Sequence, residues 1–164
     1  MKLSDFDFDL PNSLIAQYPI EKRTDSRLLV VQDDFIEATF SQLGEFLKPK
    51  DLLILNDTRV IPARLFGYKE SGGKVEILVE RLINDFQALV MIKASRAPRI
   101  GSYIVLENDK QVKVSDKASG LYRLSFGSKS ILTLLIEIGH VPLPPYIERI
   151  DEKEDLVRYQ TVYA

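Results

Sequence analysis

The sequence contains no cysteine and only one histidine, His140, among its 164 residues. Without cysteine the chain can form no disulfide bond, thiolate zinc site or cysteine-bound iron–sulfur cluster, and it has no cysteine nucleophile. Radical chemistry on such a cluster is therefore not expected, whereas the composition leaves open a Mg²⁺ site made of carboxylates. No motif indicates a metal site, and we expect neither a resident metal nor a permanently bound cofactor.

Long apolar runs are also missing. None approaches the roughly 18 residues that span a bilayer. The acidic N-terminus MKLSDFDFDL lacks the basic start and the apolar block of a signal peptide. With 45% hydrophobic and 28% charged residues, the composition is typical of a globular protein. The sequence therefore predicts a cytoplasmic protein that does not associate with a membrane.

Neither sign of charge is in large excess, because the formal net charge is -2. The distribution is uneven, however: from Arg59 to Arg99, eight basic residues stand against four acidic ones. A basic middle section in an acidic chain favours a phosphate-bearing partner. Within it, Lys93, Arg96 and Arg99 form a basic turn that is a candidate contact for an RNA backbone. The alternative is an ordinary solvated sheet surface.

The same middle section has the pattern of a small antiparallel barrel or sandwich. Short strand-like segments alternate with turns rich in glycine, asparagine, aspartate and proline. The predicted strands cover residues 63–68, 75–82, 87–93, 103–106, 111–114 and 121–126. We predict a β-barrel domain over residues 60–128, inserted in an α/β domain that comprises residues 1–59 and 129–164 and is incomplete in this chain.

Before the barrel, the apolar residues 52–55 (LLIL) predict a buried strand that ends at the polar residues Asn56, Asp57, Thr58 and Arg59. Open α/β sheets bind ligands at the carboxyl ends of their strands, which makes these four residues candidates for a ligand site. Alternatively, Asn56 and Asp57 build a turn by bonding nearby backbone groups. Asp57 and Arg59 share one face of an extended segment, where they either pair with each other or contact a ligand.

After the barrel, residues 130–138 predict a helix with Gly139 as a left-handed residue at its end. The stiff proline segment HVPLPPY follows, and residues 151–163 predict a second helix in which Asp151 and Glu154 have capping-box spacing. His140 lies between the first helix and the prolines. It is a candidate general acid or base, or else it caps the helix.

Two further groups have both a functional and a structural interpretation. Gly72-Gly73-Lys74 resembles a phosphate cradle but lacks the spacing of a P-loop, so a hairpin turn is the alternative. Tyr146 and Tyr159 can stack on bases, or they contribute to ordinary core and rim packing.

Several motifs, taken together and in order, resemble one family. They are IAQYP and SRLLVV near the start, LNDTRVIPARL at 55–65, SGGKVEILVERL at 71–82, GHVPLPPYIER at 139–149, and YQTVYA at the end. The family is the S-adenosylmethionine:tRNA ribosyltransferase-isomerase of queuosine biosynthesis. The resemblance runs from residue 3 to residue 164 and corresponds to the N-terminal half of that enzyme.

The resemblance implies a transferase that uses S-adenosylmethionine as a ribosyl donor and not as a methyl donor. The enzyme transfers and isomerises the ribosyl group onto the aminomethyl-deazaguanine wobble base of tRNA, giving epoxyqueuosine with release of adenine and methionine. The resemblance also implies tRNA as the partner and S-adenosylmethionine as the co-substrate, and we expect a monomer. Because the family continues past residue 164, we expect little turnover from these residues alone. The alternative is a non-catalytic RNA-binding β-barrel module.

The chemistry of that reaction assigns the candidate roles. The sulfonium acidifies neighbouring C–H bonds, so a base is needed, and the departing adenine needs a proton donor. The catalytic candidates are His140 and Asp57. The expected substrate-binding residues are Asn56, Thr58, Arg59, Arg64, Gly72, Gly73, Tyr146, Arg149, Tyr159 and Gln160, and the expected RNA-binding residues are Lys93, Arg96 and Arg99. Arg59 and Arg64 suit a phosphate or the methionine carboxylate. We expect residues 56–64 and 139–149 to converge on one pocket.

Overall fold

The computed structural model describes residues 1–107 and 109–160. The described residues divide into two compact units. The first unit contains residues 1–56 and 144–150, and the second contains residues 57–143 and 151–160. None of the described helices is long and apolar enough to cross a membrane.

The first unit is built from short elements. Strands β1 (Arg27–Val31) and β2 (Phe35–Thr39) form an antiparallel hairpin, with Leu29 opposite Glu37. Four 3₁₀ helices accompany it: Leu3–Phe6, Asn12–Leu14, Arg23–Asp25 and Phe40–Phe46. The last of these begins with a capping box, in which the Thr39 amide donates to Gln42 Oε1 at 3.0 Å.

The prediction of a buried strand over residues 52–55 is wrong. These residues have no regular secondary structure, and their side chains are exposed, Leu52 by 85% and Ile54 by 81%. A central strand is buried only when neighbouring strands satisfy its backbone and other elements cover its faces. The described residues supply no strand that pairs with this run, so its hydrophobicity alone does not give it a place in a sheet.

The second unit is a closed six-stranded antiparallel barrel, which confirms the predicted barrel. Its strands are β3 (Arg64–Lys69), β4 (Lys74–Asn84), β5 (Gln87–Ala94), β6 (Tyr103–Leu106), β7 (Gln111–Ala118) and β8 (Leu121–Ser125). Around the barrel they follow the order β3-β4-β5-β8-β7-β6, and β6 pairs back onto β3. Closure leaves no free sheet edge that another chain could pair with.

Alternation of side chains along each strand builds the barrel interior. On β4, Val75, Ile77 and Val79 are buried, while the residues between them are at least partly exposed. Ile77 lies opposite Leu65 on β3, and Val79 lies opposite Val90 on β5, so the inward positions of neighbouring strands form common layers. Register shifts follow Val79 on β4 and, farther round the barrel, occur on β7, where the strands must bend to close.

Gly67 sits where the barrel closes. It pairs with Leu106 of β6, and a Cβ atom at this position would collide with the carbonyl oxygen of Val105. The glycine is therefore required by the close approach of β3 to β6, because any side chain would push the two backbones apart.

Helix α1 (Ile131–Ile138) packs against the barrel core through Ile131, Leu134 and Leu135. The predicted left-handed conformation of Gly139 is wrong, since its φ is -78°. Glycine is needed there for a different reason: a Cβ atom would collide with the carbonyl oxygens of Pro62 and Leu135.

The second predicted helix is shorter than expected. Helix α2 covers only Asp155–Arg158, with Glu154 at its N-cap, and residues 161–163 of the prediction lie outside the described residues. Asp151 does not cap this helix, because its carboxylate is bound by His140 and by the amide of Val141.

Candidate functional site

His140 is held to the start of strand β3 by its backbone. The His140 amide donates to the Arg64 carbonyl oxygen at 2.8 Å, and the Arg64 amide donates to the His140 carbonyl oxygen at 3.1 Å. These two bonds form an isolated antiparallel bridge. The structure thus brings together two of the residues that the sequence nominated.

The imidazole ring of His140 lies between two carboxylates. Its Nδ1 is 2.8 Å from Asp151 Oδ1, and its Nε2 is 3.1 Å from Glu107 Oε2. The second Asp151 oxygen accepts the Val141 amide at 2.9 Å, which fixes the carboxylate in place. Phe66 packs edge-on against the ring, with 4.8 Å between centroids and an interplanar angle of 67°. We call His140, Glu107 and Asp151 the imidazole clamp.

The imidazole clamp favours the charged form of the ring. Burial lowers the pKa of His140, but the hydrogen bonds to Glu107 and Asp151 outweigh this effect, so the pKa lies above its ordinary value. Only the imidazolium can donate from both ring nitrogens at once. A neutral ring would leave one nitrogen lone pair facing a carboxylate oxygen. The arrangement therefore stabilises the protonated ring relative to a histidine in water.

Arg64 is engaged on both sides of its guanidinium. One terminal nitrogen donates to the Leu143 carbonyl oxygen at 2.8 Å. Its Nε lies 3.1 Å from Glu76 Oε1, an ion pair without the geometry of a hydrogen bond, which leaves Nε buried without a hydrogen-bond partner. These contacts link β3, β4 and the start of the proline segment. Arg64 thus holds the peptide that follows His140.

The polar residues Asn56, Asp57, Thr58 and Arg59 lie on an exposed segment without regular structure. The described residues contain no ion pair between Asp57 and Arg59. The residue that follows them, Val60, is fixed by a distant side chain. Gln160 donates through Nε2 to the Val60 carbonyl oxygen at 3.0 Å and accepts the Val60 amide at 2.9 Å.

Gln160 therefore positions the backbone next to the polar segment, although it is 100 positions away from Val60 in the chain. Its Nε2 also donates to the Leu156 carbonyl oxygen of α2 at 2.9 Å. Its neighbour Tyr159 ends α2 and is partly exposed. A glutamine amide is well suited to this task because it supplies one donor group and one acceptor side by side.

Gly72 and Gly73 form the hairpin turn between β3 and β4. Gly72 has a φ of 80°, and its amide donates to the Lys69 carbonyl oxygen at 2.8 Å, while the Lys69 amide donates to the Gly73 carbonyl oxygen at 2.9 Å. Glycine meets the left-handed requirement of such a turn at no steric cost. This geometry agrees with the hairpin interpretation.

Two of the three expected RNA-binding residues, Arg96 and Arg99, line a cleft of about 420 Å³ on the barrel. Lys69 lies in the same cleft, and its ammonium group donates to the Arg96 carbonyl oxygen at 2.8 Å. Glu70 is the one acid in the lining. Lys93 is not part of this lining; it is exposed on β5, opposite Glu76 of β4. We call this the basic cleft.

The first unit contains a second cleft, of about 520 Å³, whose walls include Asn12, Ser13, Tyr18, Tyr146 and Arg149. We call it the Tyr18 cleft. Two of these residues, Tyr146 and Arg149, are candidates from the sequence, and both belong to the motif GHVPLPPYIER at 139–149. The Arg149 guanidinium lies over the Tyr18 ring, 4.3 Å from its centroid.

Sequence reasoning missed the partners of several nominated residues. Glu107 stands 33 positions from His140, and no local pattern connects them. For Asp151 the local pattern predicts a helix cap and not a partner of His140. Gln17 lies inside the motif IAQYP, which is the one signal that pointed to it. No group of three or more histidine, aspartate or glutamate side chains placed to hold a metal ion exists among residues 1–107 and 109–160.

Comparison with known proteins places the chain in a family. A family model described as "Queuosine biosynthesis protein" matches residues 3–164, and the chain belongs to this family. The S-adenosylmethionine:tRNA ribosyltransferase-isomerase of Vesicomyosocius okutanii subsp. Calyptogena okutanii (strain HA) is 60% identical over 164 residues, which cover all of this chain and 48% of the relative. The enzyme of the same name from Legionella pneumophila (strain Corby) is 49% identical over 167 residues and is covered to 49%.

A solved structure is also similar. The crystal structure of the S-adenosylmethionine tRNA ribosyltransferase of Thermotoga maritima shares 31% sequence identity and a TM-score of 0.43, over 83% of this chain and 48% of that one. The chain thus spans about half the length of the curated relatives that it matches. The family resemblance seen in the motifs is confirmed.

Proposed function

We propose that the protein carrying this chain is an S-adenosylmethionine:tRNA ribosyltransferase-isomerase. It transfers and isomerises the ribosyl group of S-adenosylmethionine onto the aminomethyl-deazaguanine wobble base of tRNA and releases adenine and methionine. The observation that supports this most strongly is 60% identity over the entire chain to a relative of that name. The protein works in the cytoplasm, where its tRNA substrate is found, as a monomer without a permanently bound cofactor.

His140 is proposed as the proton donor to the departing adenine. The imidazole clamp supports this role, because its hydrogen bonds outweigh the effect of burial and hold the pKa of His140 above its ordinary value. The Nε2 atom faces Glu107, whose side chain is 45% exposed and can be displaced more easily than that of Asp151, which is 13% exposed. Asp57, which is exposed, is the proposed base for the C–H bond beside the sulfonium.

Substrate contacts are proposed on the exposed polar segment and on residues elsewhere in the chain. Asn56, Thr58 and Arg59 offer amide, hydroxyl and guanidinium groups. The further residues proposed to bind or position the substrate are Arg64, Gly72, Gly73, Tyr146, Arg149, Tyr159 and Gln160. The proposed RNA contacts are Lys93, Arg96 and Arg99, of which the last two share the basic cleft.

The test is release of free adenine when the full-length protein is incubated with S-adenosylmethionine and tRNA that carries the aminomethyl-deazaguanine base. We expect adenine to appear only when both substrates are present. His140→Gln is expected to lower the turnover rate by about 10²–10⁴-fold, the usual contribution of a positioned acid. Glu45→Gln, on an exposed glutamate of the first unit, is the control and should leave the rate unchanged. Normal turnover by His140→Gln would remove His140 from the mechanism.

The second candidate function is a non-catalytic RNA-binding barrel, which the basic cleft favours. The two proposals differ in one property that is easy to measure. A pure RNA-binding module has no reason to bind S-adenosylmethionine, whereas the transferase must bind it. Saturable binding of S-adenosylmethionine to the full-length protein therefore decides between them.

A further inference from the structure

The Tyr18 cleft is a built cavity and not a gap between loose loops. The side chain of Gln17 joins its two walls: Nε2 donates to the Tyr146 carbonyl oxygen at 3.0 Å, and Oε1 accepts the Glu148 amide at 2.6 Å. In addition, Arg149 Nε donates to the Gln17 carbonyl oxygen at 2.8 Å. The partners are 129 to 132 positions apart in the chain, so these bonds fix one wall against the other.

The walls carry flat, polarisable groups. The Arg149 guanidinium and the Tyr18 ring are stacked at 4.3 Å, within the range of a cation–π interaction. Tyr146 contributes a second ring. Both tyrosines expose a large part of their surface, Tyr18 by 60% and Tyr146 by 57%. Aromatic faces and arginine planes in a cleft are the groups on which proteins stack unpaired bases.

The polar groups of the cleft suit the edge of a base better than a phosphate. Asn12 supplies an amide and Ser13 a hydroxyl, which can donate and accept. The guanidinium of Arg149 already donates to the Gln17 and Ile150 carbonyl oxygens, and the carboxylate of Glu148 is nearby in the lining. The cleft therefore has no excess of positive charge for an anion. Its volume of about 520 Å³ is in the range of small-ligand sites.

We propose that the Tyr18 cleft binds a nucleobase, stacked on the exposed tyrosine faces and read at its edge by Asn12 and Ser13. This proposal rests on the proposed function, which supplies two sources of such a base: the adenine of S-adenosylmethionine and an unpaired base of the tRNA. The ligand chemistry is the same in both cases.

The experiment measures the dissociation constants of S-adenosylmethionine and of an anticodon stem-loop RNA for the full-length protein by titration calorimetry. In Tyr18→Ala the dissociation constant of one of the two ligands is expected to rise by about five- to a hundredfold, since loss of one stacking ring commonly weakens binding by this factor. Tyr18→Phe keeps the ring and should bind like the wild type. The control is Tyr68→Ala, which removes a comparably exposed tyrosine from the barrel.

The ligand whose binding is weakened identifies the source of the base. Tyr146→Ala provides a second variant, because only the backbone of Tyr146 takes part in the bonds to Gln17; it decides the question if Tyr18→Ala does not fold. Unchanged or equally weakened binding of both ligands in the alanine variants would overturn the nucleobase site and leave the proposed function standing. A wild-type protein that binds neither ligand would overturn the proposed function and this proposal with it.

Discussion

Raising the pH should weaken the folded state through the imidazole clamp. The pKa of His140 is raised in the folded protein, so folding is favoured by protonation of this ring. The contribution is fully present below the ordinary histidine pKa of about 6.5. It is lost as the pH rises through the higher pKa of the folded state. The free energy of unfolding should therefore fall between weakly acidic and weakly alkaline pH.

The size of the loss follows from the exposure of the two carboxylates. The neutral ring keeps one N–H donor. We expect this donor to bind Asp151, because this partner is closer and only 13% exposed. The bond that is lost is then the one to Glu107, at 3.1 Å and 45% exposed. A charge-assisted bond to so exposed a partner contributes on the order of 1 kcal/mol, well below the value for a buried pair.

Protonation of the ring can be followed by NMR without overlap from other histidines, because His140 is the only histidine in the chain. Its imidazole Cε1 proton should titrate in NMR spectra with a midpoint above that of a histidine peptide. In Glu107→Gln the midpoint should fall, and the variant should lose stability in denaturant unfolding at pH 6 but much less at pH 9. Glu45→Gln should match the wild type at both pH values. A His140 midpoint at or below the peptide value, or a stability difference independent of pH, would refute this reasoning.

Three further predictions concern the barrel and the basic cleft. Gly67→Ala should lower the free energy of unfolding by about 1–3 kcal/mol, because its methyl group would force β3 away from β6; denaturant unfolding measures this. Gln160→Ala removes both bonds to Val60 and should cost about 1–2 kcal/mol, with faster hydrogen exchange at the Val60 amide. Arg96→Ala and Arg99→Ala should each weaken tRNA binding and reduce the salt dependence of log K by about one phosphate contact.

Each of these has a matched control. Gly44→Ala adds a methyl group where nothing lies within 4 Å, and it should not destabilise the protein. Gln111→Ala removes an exposed glutamine whose side chain holds no distant backbone. Arg123→Ala removes an exposed charge outside the basic cleft. If a control behaves like its partner, the corresponding contact is not the cause of the effect.

The barrel could be predicted because its signals are local. Turn residues such as Gly72 and alternating apolar residues such as Val75, Ile77 and Val79 lie within a few positions of each other, and the strands they predict are all present. Residues 52–55 carry an equally strong apolar signal, yet they are exposed. A central strand needs neighbouring strands that come from elsewhere in the sequence. The hydrophobicity of the run itself does not predict whether such strands are present.

The candidate site was only partly predictable for the same reason. His140 is a candidate because it is the only histidine, and Arg64 because it lies in the motif LNDTRVIPARL. The β-bridge between them cannot be predicted from their positions in the sequence. Asp151 shows how two signals compete: the local pattern favours a helix cap, whereas the folded chain places it beside an imidazole 11 positions away. Gln17 acts across 131 positions, and no local rule reveals such a contact.

The central proposal is that the protein carrying this chain transfers the ribosyl group, and not the methyl group, of S-adenosylmethionine to tRNA. The most direct measurement follows separate isotope labels in the ribose, the adenine and the methyl group of S-adenosylmethionine during reaction with the modified tRNA. We predict ribose label in the tRNA, adenine label in free adenine, and no methyl label in the tRNA. Methyl label in the tRNA, or tRNA without ribose label, would contradict the account.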